Sequence, residues 1–382
     1  MRTSRLPWLG GILACLCAGG SLTAAAATPE LEPLLEKIRS EHQLPALACS
    51  VIRSNTVIAR AAVGLRQTGG AERVTLDDRW HQGSITKSMS ATLAAILVEE
   101  GKLKWATPLA EAFPAERESM DPAWRDVTLE QLLGHRGGAP DQEWLDRTGL
   151  WKRFWSAPGT PRDQRRFLFH EVTRRPPAIP PGTRHVYSNT GYILAGTLLE
   201  QRMGIPWETL IQERLFRPLG MKKAGFGPPD PHGKGTDAWG HSGNKTRWEP
   251  MTPGPQADNP PGLGPAGTVH ASLADLEMYV MAHLNGELGR PTPLPLHTES
   301  WHHLHTALPG QTYALGWGTA QRDWAGGTAL NHTGSNTYWF SNLWLAPNRD
   351  FAVIIFTNAG GDEAFKATDA VAATVIGKYL KN

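Results

Sequence analysis

The apolar positions of this chain change period several times, and each change marks an element. Leu31, Leu34, Leu35 and Ile38 recur at helical spacing and predict a helix over 31–41. Two apolar runs, 47–52 and 57–63, are separated by Arg53-Ser54-Asn55 and predict two strands joined by a turn. Ile85, Met89, Leu93, Ile96 and Leu97 restore the helical period, and Gly101 stands where a helix C-cap is needed. A short helix is predicted over 127–133. Further helices are expected near 167–172, over 192–201 and over 207–215, the last two divided by Gly204 and Pro206. Residues 224–268 show no periodicity and are dominated by Gly, Pro, Asn and Asp. A stretch of that length in a compact domain usually shapes or wraps a binding site. Ser272 with Asp275 forms a capping box ahead of a helix through Leu284. Strands are predicted over 313–317, 338–345 and 351–356, and a helix over 364–380 closes the chain.

This order predicts an α/β plus all-α fold: one antiparallel sheet flanked by helices, built from both chain ends, with an inserted helical lobe. The α/β lobe is expected at about 28–80 and 270–382, and the helical lobe at about 84–268. No internal repeat is visible.

Residues 1–27 are set apart from this domain. Arg2 and Arg5 precede an apolar run over 6–18 and a small-residue stretch, Ala24-Ala25-Ala26-Ala27. That is the layout of a secretory signal peptide cut near Ala26 or Ala27, which predicts a periplasmic or secreted protein. Lipid attachment at Cys15 is the weaker reading, because Leu13 fits that signal poorly. The leader carries both surplus positive charges of a chain whose formal net charge is +2. The remainder is neutral, so neither nucleic acid nor an anionic membrane is an expected partner. No integral membrane segment is expected, and a monomer is. Cys49 is the one cysteine beyond the leader, within an apolar run, and reads as a buried thiol. With 15 Trp and 30 Pro, the composition is that of a folded, loop-rich body.

The chemistry begins at Gly83-Ser84-Ile85-Thr86-Lys87. A helix starting here places Ser84 and Lys87 one turn apart on one face, so one element supplies both a hydroxyl and an amine able to take its proton. The spacing alone is weak, since Ser242-Gly243-Asn244-Lys245 repeats it without helical periodicity. Two further motifs raise its significance. Tyr187-Ser188-Asn189 precedes the 192–201 helix, and His332-Thr333-Gly334-Ser335 leads toward the 338–345 strand.

With these three motifs the chain resembles the serine β-lactamase and penicillin-binding family, in its class C β-lactamase, DD-peptidase and esterase branch. The resemblance spans roughly 31–380. It includes Leu132-Leu133-Gly134-His135-Arg136-Gly137-Gly138-Ala139-Pro140, Pro218-Leu219-Gly220-Met221, Gly264-Pro265-Ala266-Gly267 and Asn358. It implies a β-lactamase/transpeptidase-like fold with the site in the cleft between lobes. By the same resemblance Ser84 is the nucleophile, Lys87 activates or orients it, and Tyr187 shuttles protons. Asn189 would hold the substrate amide or Lys87. His332, Thr333 and Gly334 would line the opposite wall, and the backbone N–H groups of Ser84 and Ser335 would form the oxyanion hole. Gln142 falls where class C enzymes hold an amide side chain. The implied activity is hydrolysis of an amide, lactam or ester carbonyl in a small-molecule or peptide acyl substrate. No metal ion or cofactor is expected.

The match departs from class C enzymes in two places. His332 stands where many β-lactamases carry Lys, which weakens attraction for a substrate carboxylate. Thr337, Tyr338 and Phe340 stand where glycines are common, and their bulk is expected to narrow the cleft. Rival readings are a penicillin-binding-like protein that binds peptidoglycan or an acyl ligand without efficient turnover, and a metalloenzyme. For the second, Trp301-His302-His303-Leu304-His305 lacks an accompanying carboxylate, and a solvated helix or loop is the expected reading. No Gly-x-Ser-x-Gly elbow occurs, against an α/β-hydrolase.

Overall fold

Strand Ala46–Arg53 is buried along both faces, and its period of two divides its side chains between two cores. Ala46, Ala48 and Ile52 face one core, while Leu47, Cys49 and Val51 face the other. Strand Phe351–Thr357 behaves alike, with Ala352, Ile354 and Phe356 on the first side and Phe351, Val353 and Ile355 on the second. Burial on both faces explains why these two segments read as continuous apolar runs instead of alternating ones. Each large apolar side chain so enclosed contributes about 1.5–3 kcal/mol.

The computed structural model describes residues 27–380. The leader expected over 1–27, with its basic start and Cys15, lies outside the described residues except for Ala27. The main sheet has six strands in the order Thr56–Gly64, Ala46–Arg53, Phe351–Thr357, Phe340–Ala346, Gly327–Ser335, Gly318–Arg322. Every neighbouring pair is antiparallel. The helices Glu32–Glu41 and Gly361–Tyr379 cover one face through Leu35, Ile38, Val371 and Val375. Helix Leu273–Glu287, opened by the Ser272/Asp275 capping box, and the helical body cover the other. The fold is thus an antiparallel sheet flanked by helices, with strands drawn from both ends of the chain. No helix among the described residues is long and apolar enough to cross a membrane.

Three local expectations are corrected. Residues 313–317 are not a strand: only Tyr313 bridges, to Gly318, and Gly316 at φ +81° turns the chain. Leu315 and Trp317 are apolar because they anchor a loop, with Trp317 stacked on Tyr279 at 6.4 Å. The strands Gly318–Arg322 and Gly327–Ser335 carry too little apolar alternation to announce themselves, so residues 332–335 are the end of a strand and not a lead-in to the next. The helix after Ser84, whose apolar period implies one buried face, is instead enclosed on all sides, for every residue from Thr86 to Leu97 is buried. Its polar side chains are accordingly bonded: Ser88 Oγ to the Ile85 carbonyl (2.8 Å), Ser90 Oγ to the Pro265 carbonyl (2.6 Å) and Thr92 Oγ1 to the Ser88 carbonyl (2.9 Å).

Candidate active site

Ser84 lies in the single 3-10 turn Gly83–Ile85 that opens helix Thr86–Glu99. Lys87 Nζ is 2.9 Å from Ser84 Oγ and donates to Asn189 Oδ1 and the Ala266 carbonyl, both at 2.7 Å. The lysine is wholly buried, and desolvation holds its pKa well below the usual ammonium range. Asn189 begins helix Asn189–Met203, which is capped by Ser188. Ser188 is itself held twice by the 135–140 segment: its N–H donates to His135 Nδ1 (3.1 Å) and its Oγ to the Pro140 carbonyl (2.6 Å). That segment therefore fixes Tyr187 and Asn189 in place.

Lys87 Nζ lies 4.9 Å from the ring centre of Tyr187. Tyr187 keeps 41% of its surface exposed. Desolvation pushes the phenol up to about 12, with the Ser84 side chain pulling it down. Three segments distant in sequence thus bring a hydroxyl, an amine and a phenol together.

The end of strand Gly327–Ser335 presses directly on the Ser84 turn. A Cβ on Gly334 would lie 1.9 Å from the Gln82 carbonyl and 2.8 Å from Ser84 N. A Cβ on Gly83, at φ +50°, would lie 2.2 Å from Ser335 N. Only glycines permit this approach, and the backbone nitrogens of Ser84 and Ser335 both border the seam.

A cleft of about 450 Å³ opens beside Ser84. Gln142, Asn189, Ala266, Ser335, Thr337 and Tyr338 border it, with Trp151 and Trp155 as aromatic wall. Gln142 begins helix Gln142–Arg147, and its Nε2 donates to Asp146 Oδ1 at 3.2 Å. The 224–268 stretch supplies Gln256, Asp258, Asn259 and Leu263. Thr333 is exposed, while His332 and Gly334 are buried, and none of the three borders this cleft. Trp144 faces a different depression with Arg147 and Arg184. Phe340 pairs with Phe365 at 6.1 Å, away from the cleft. A larger cavity of about 640 Å³, bordered by Glu287, His305 and Arg322, lies elsewhere.

His332 is neutral by its bonding as well as its burial. Its Nδ1 faces the Thr333 carbonyl at 2.6 Å and so carries the proton, leaving Nε2 to accept from the Tyr313 hydroxyl at 3.0 Å. Desolvation lowers its pKa to about 4. Asn358 lies apart from the cleft, donating to the Leu65 and Arg66 carbonyls at 3.1 Å. Ser242 and Lys245 sit in the hairpin His241–Asn244/Arg247–Pro250, without the Ser84 partners. Carboxylates do accompany the 302–305 histidines, contrary to expectation, because they come from other helices: His303 pairs with Glu130 (2.9 Å), while His302 (3.8 Å) and His305 (2.6 Å) share Glu287, and His305 also meets His283 (2.8 Å). His305 is buried, so that stretch is not the fully solvated one expected. Sequence reasoning missed Tyr313 and the Ala266 carbonyl, whose roles depend on contacts no local pattern encodes.

The sequence model of the Beta-lactamase family matches residues 31–377. "Penicillin-binding protein 4" of Amycolatopsis lactamdurans is 27% identical over 338 residues, covering 86% of this chain and 85% of the relative. Among solved structures, the octameric penicillin-binding protein homologue of Pyrococcus abyssi superposes with TM-score 0.73 at 22% identity, over 92% of this chain and 78% of that one. The D-alanine carboxypeptidase AmpC of Burkholderia cenocepacia gives 0.69 at 20% identity, over 90% and 99%. At these identities the two structures speak for the fold alone.

Proposed function

Since the chain belongs to the beta-lactamase family, we propose that it is a serine hydrolase acting through a Ser84 acyl-enzyme. The observation that carries this reading is the surrounding of Lys87 Nζ. Asn189 Oδ1 and the Ala266 carbonyl can only accept, and they take the two N–H bonds of a neutral amine. Its lone pair is then left for the third neighbour, the hydroxyl of Ser84. Burial favours that neutral form.

Ser84 Oγ attacks the carbonyl carbon as Lys87 takes its proton. The oxyanion is held by the N–H groups of Ser84 and Ser335. Tyr187 keeps its own proton at neutral pH, so it serves as carrier: the bond from the carbonyl carbon to the leaving group breaks as Tyr187 protonates that group, and Lys87 passes the proton taken from Ser84 on to the phenol oxygen. In deacylation a water oxygen bonds to the acyl carbon, the Ser84 ester bond breaks, and the water proton restores the serine hydroxyl through the same pair.

The charges of the cleft bear on the substrate. Among the described residues bordering it there are two carboxylates, Asp146 and Asp258, and no Lys or Arg. His332 adds no cation at neutral pH. A carboxylate beside the scissile bond, as in a penicillin or a C-terminal D-alanine, meets no counter-charge there. Esters and internal amides suit the cleft better. The leader pattern over 1–27 supports action outside the cytoplasm.

The test is a side-by-side assay of p-nitrophenyl butyrate, a D-Ala-D-Ala peptide and nitrocefin, with Ser84→Ala as control. Hydrolysis of the ester above the other two, lost in Ser84→Ala, is expected. Full activity in Ser84→Ala contradicts the mechanism. Stoichiometric labelling of Ser84 with no turnover of any substrate selects the acyl-ligand-binding alternative.

A further inference from the structure

Asp258 contacts a residue flanking each half of the seam in which the oxyanion hole is proposed, His81 on one side and Asn336 on the other, and nothing in the three sequence motifs points to it. It follows the turn Pro255–Ala257 in the Gly- and Pro-rich stretch and is 6% exposed. Its Oδ1 accepts from Asn336 Nδ2 at 3.0 Å and from the N–H of Asn259 at 2.7 Å. The same oxygen lies 2.9 Å from His81 Nε2, an off-axis contact rather than an aligned hydrogen bond.

On the nucleophile side, His81 is fully buried, and its Nδ1 accepts the N–H of Gly83 at 3.0 Å. A ring nitrogen accepting a backbone N–H carries no proton, so in the neutral ring the proton sits on Nε2, facing Asp258. The histidine thereby fixes the Gln82–Gly83 peptide, one peptide ahead of the one that carries the Ser84 N–H. On the strand side, Asn336 follows Ser335. Its Oδ1 accepts from the N–H groups of Tyr338 and Trp339, both at 3.2 Å, which holds the turn after the strand. Ser335 Oγ closes the same turn on the Trp339 carbonyl at 2.8 Å. The His81 ring also stacks on Trp339 at 5.8 Å.

We propose that Asp258 is a positioning residue that sets the separation and aim of the two oxyanion-hole N–H groups, acting through His81 on Ser84 and through Asn336 on Ser335. This rests on the serine-hydrolase reading of the site. The physical need is specific. Two donors on different segments stabilise an oxyanion only when both aim at one point, and a small misplacement forfeits much of that stabilisation. The glycine contacts bring the segments together, the Ser341 hydroxyl donates to the His81 carbonyl across them at 2.9 Å, and a buried carboxylate that bonds Asn336 on one side and abuts His81 on the other further opposes sliding. The role requires no contact with substrate.

The experiment uses the full protein, Asp258→Ala and Asp258→Asn, with p-nitrophenyl butyrate as substrate and phenylboronic acid as a tetrahedral mimic on Ser84. The readouts are kcat, KM, boronate Ki and the thermal midpoint. For Asp258→Ala a fall in kcat of about 10- to 100-fold is expected, with boronate affinity falling in parallel and KM nearly unchanged. Asp258→Asn keeps an acceptor for Asn336 and recovers much of the loss. A purely structural role would lower the thermal midpoint and the fraction of folded enzyme while leaving kcat per folded molecule and boronate affinity intact, and that result overturns the proposal. Should Asp258→Ala not fold, Asp258→Asn is read on the same constants: a parallel loss of threefold or more supports the proposal, and parental values overturn it. If the parent protein neither cleaves the ester nor takes boronate on Ser84, the hydrolase reading falls and this one with it. If the parent does both and the variants match it, only the role of Asp258 falls.

Discussion

Lys87 and Asn189, 102 residues apart, meet in a 2.7 Å hydrogen bond from Nζ to Oδ1. That contact joins the helix bearing Ser84 to the helix behind Tyr187, and it takes one of the amine's two N–H bonds. Lys87→Met keeps the length and packs in the same buried channel, yet it leaves Ser84 without a base. A loss of 10³-fold or more in kcat is expected, with the thermal midpoint held or raised because a buried amine is replaced by an apolar group. In the parent enzyme activity rises with pH as Lys87 loses its proton. Since burial lowers that pKa, the rise should come below the usual lysine range.

Tyr187→Phe removes a hydroxyl and little volume. With the phenol pushed up to about 12, the group acts with its proton on. Its loss is expected to cost about 10²- to 10⁴-fold in kcat. Stopped-flow with the butyrate ester should show a retained burst of p-nitrophenol if release of the acyl group becomes the slow step.

Gly334→Ala should abolish the site through sterics alone. Its Cβ would lie 1.9 Å from the Gln82 carbonyl, a distance no side-chain rotation relieves. The strand must move off the Ser84 turn, at a cost of about 1–3 kcal/mol or more. Gly377→Ala, at a helix position where nothing lies within 4 Å, is the matched control and should leave the urea midpoint unchanged or slightly raised.

Stability should fall on acidification through buried histidines. His332, His241 and His270 are each lowered from 6.5 to about 4 by desolvation. Below pH 6.5 the unfolded chain binds protons that the native state refuses, so stability drops as pH falls toward 4. A shift of that size is worth about 3 kcal/mol per group. His332→Gln should flatten the dependence of the urea midpoint between pH 6.5 and 4 by roughly one proton's share. An unchanged slope would contradict the assignment.

Much of this architecture is legible in the sequence because its signals are local. The 47–52 and 351–356 runs lie buried on both faces of the sheet, and Ser272/Asp275 caps a helix as its spacing requires. Ser84, Lys87 and Tyr187 were visible through motifs whose settings on a turn-helix and a helix entrance are also local. The strand ending at Ser335 was not, since Gly327–Ser335 reads polar and takes its form from its neighbours in the sheet. Asp258, His81, Asn336 and Tyr313 were equally silent. Each matters through a partner remote in sequence, as His81 and Asp258 are, a separation that only folding closes.

The most direct test of the central claim is intact-mass and peptide-mapping mass spectrometry after brief exposure to a fluorophosphonate ester. A single adduct on the peptide containing Ser84, slowed strongly in Lys87→Met, is the predicted result. An adduct on Ser242, or labelling of Ser84 at an unchanged rate without Lys87, would contradict the account.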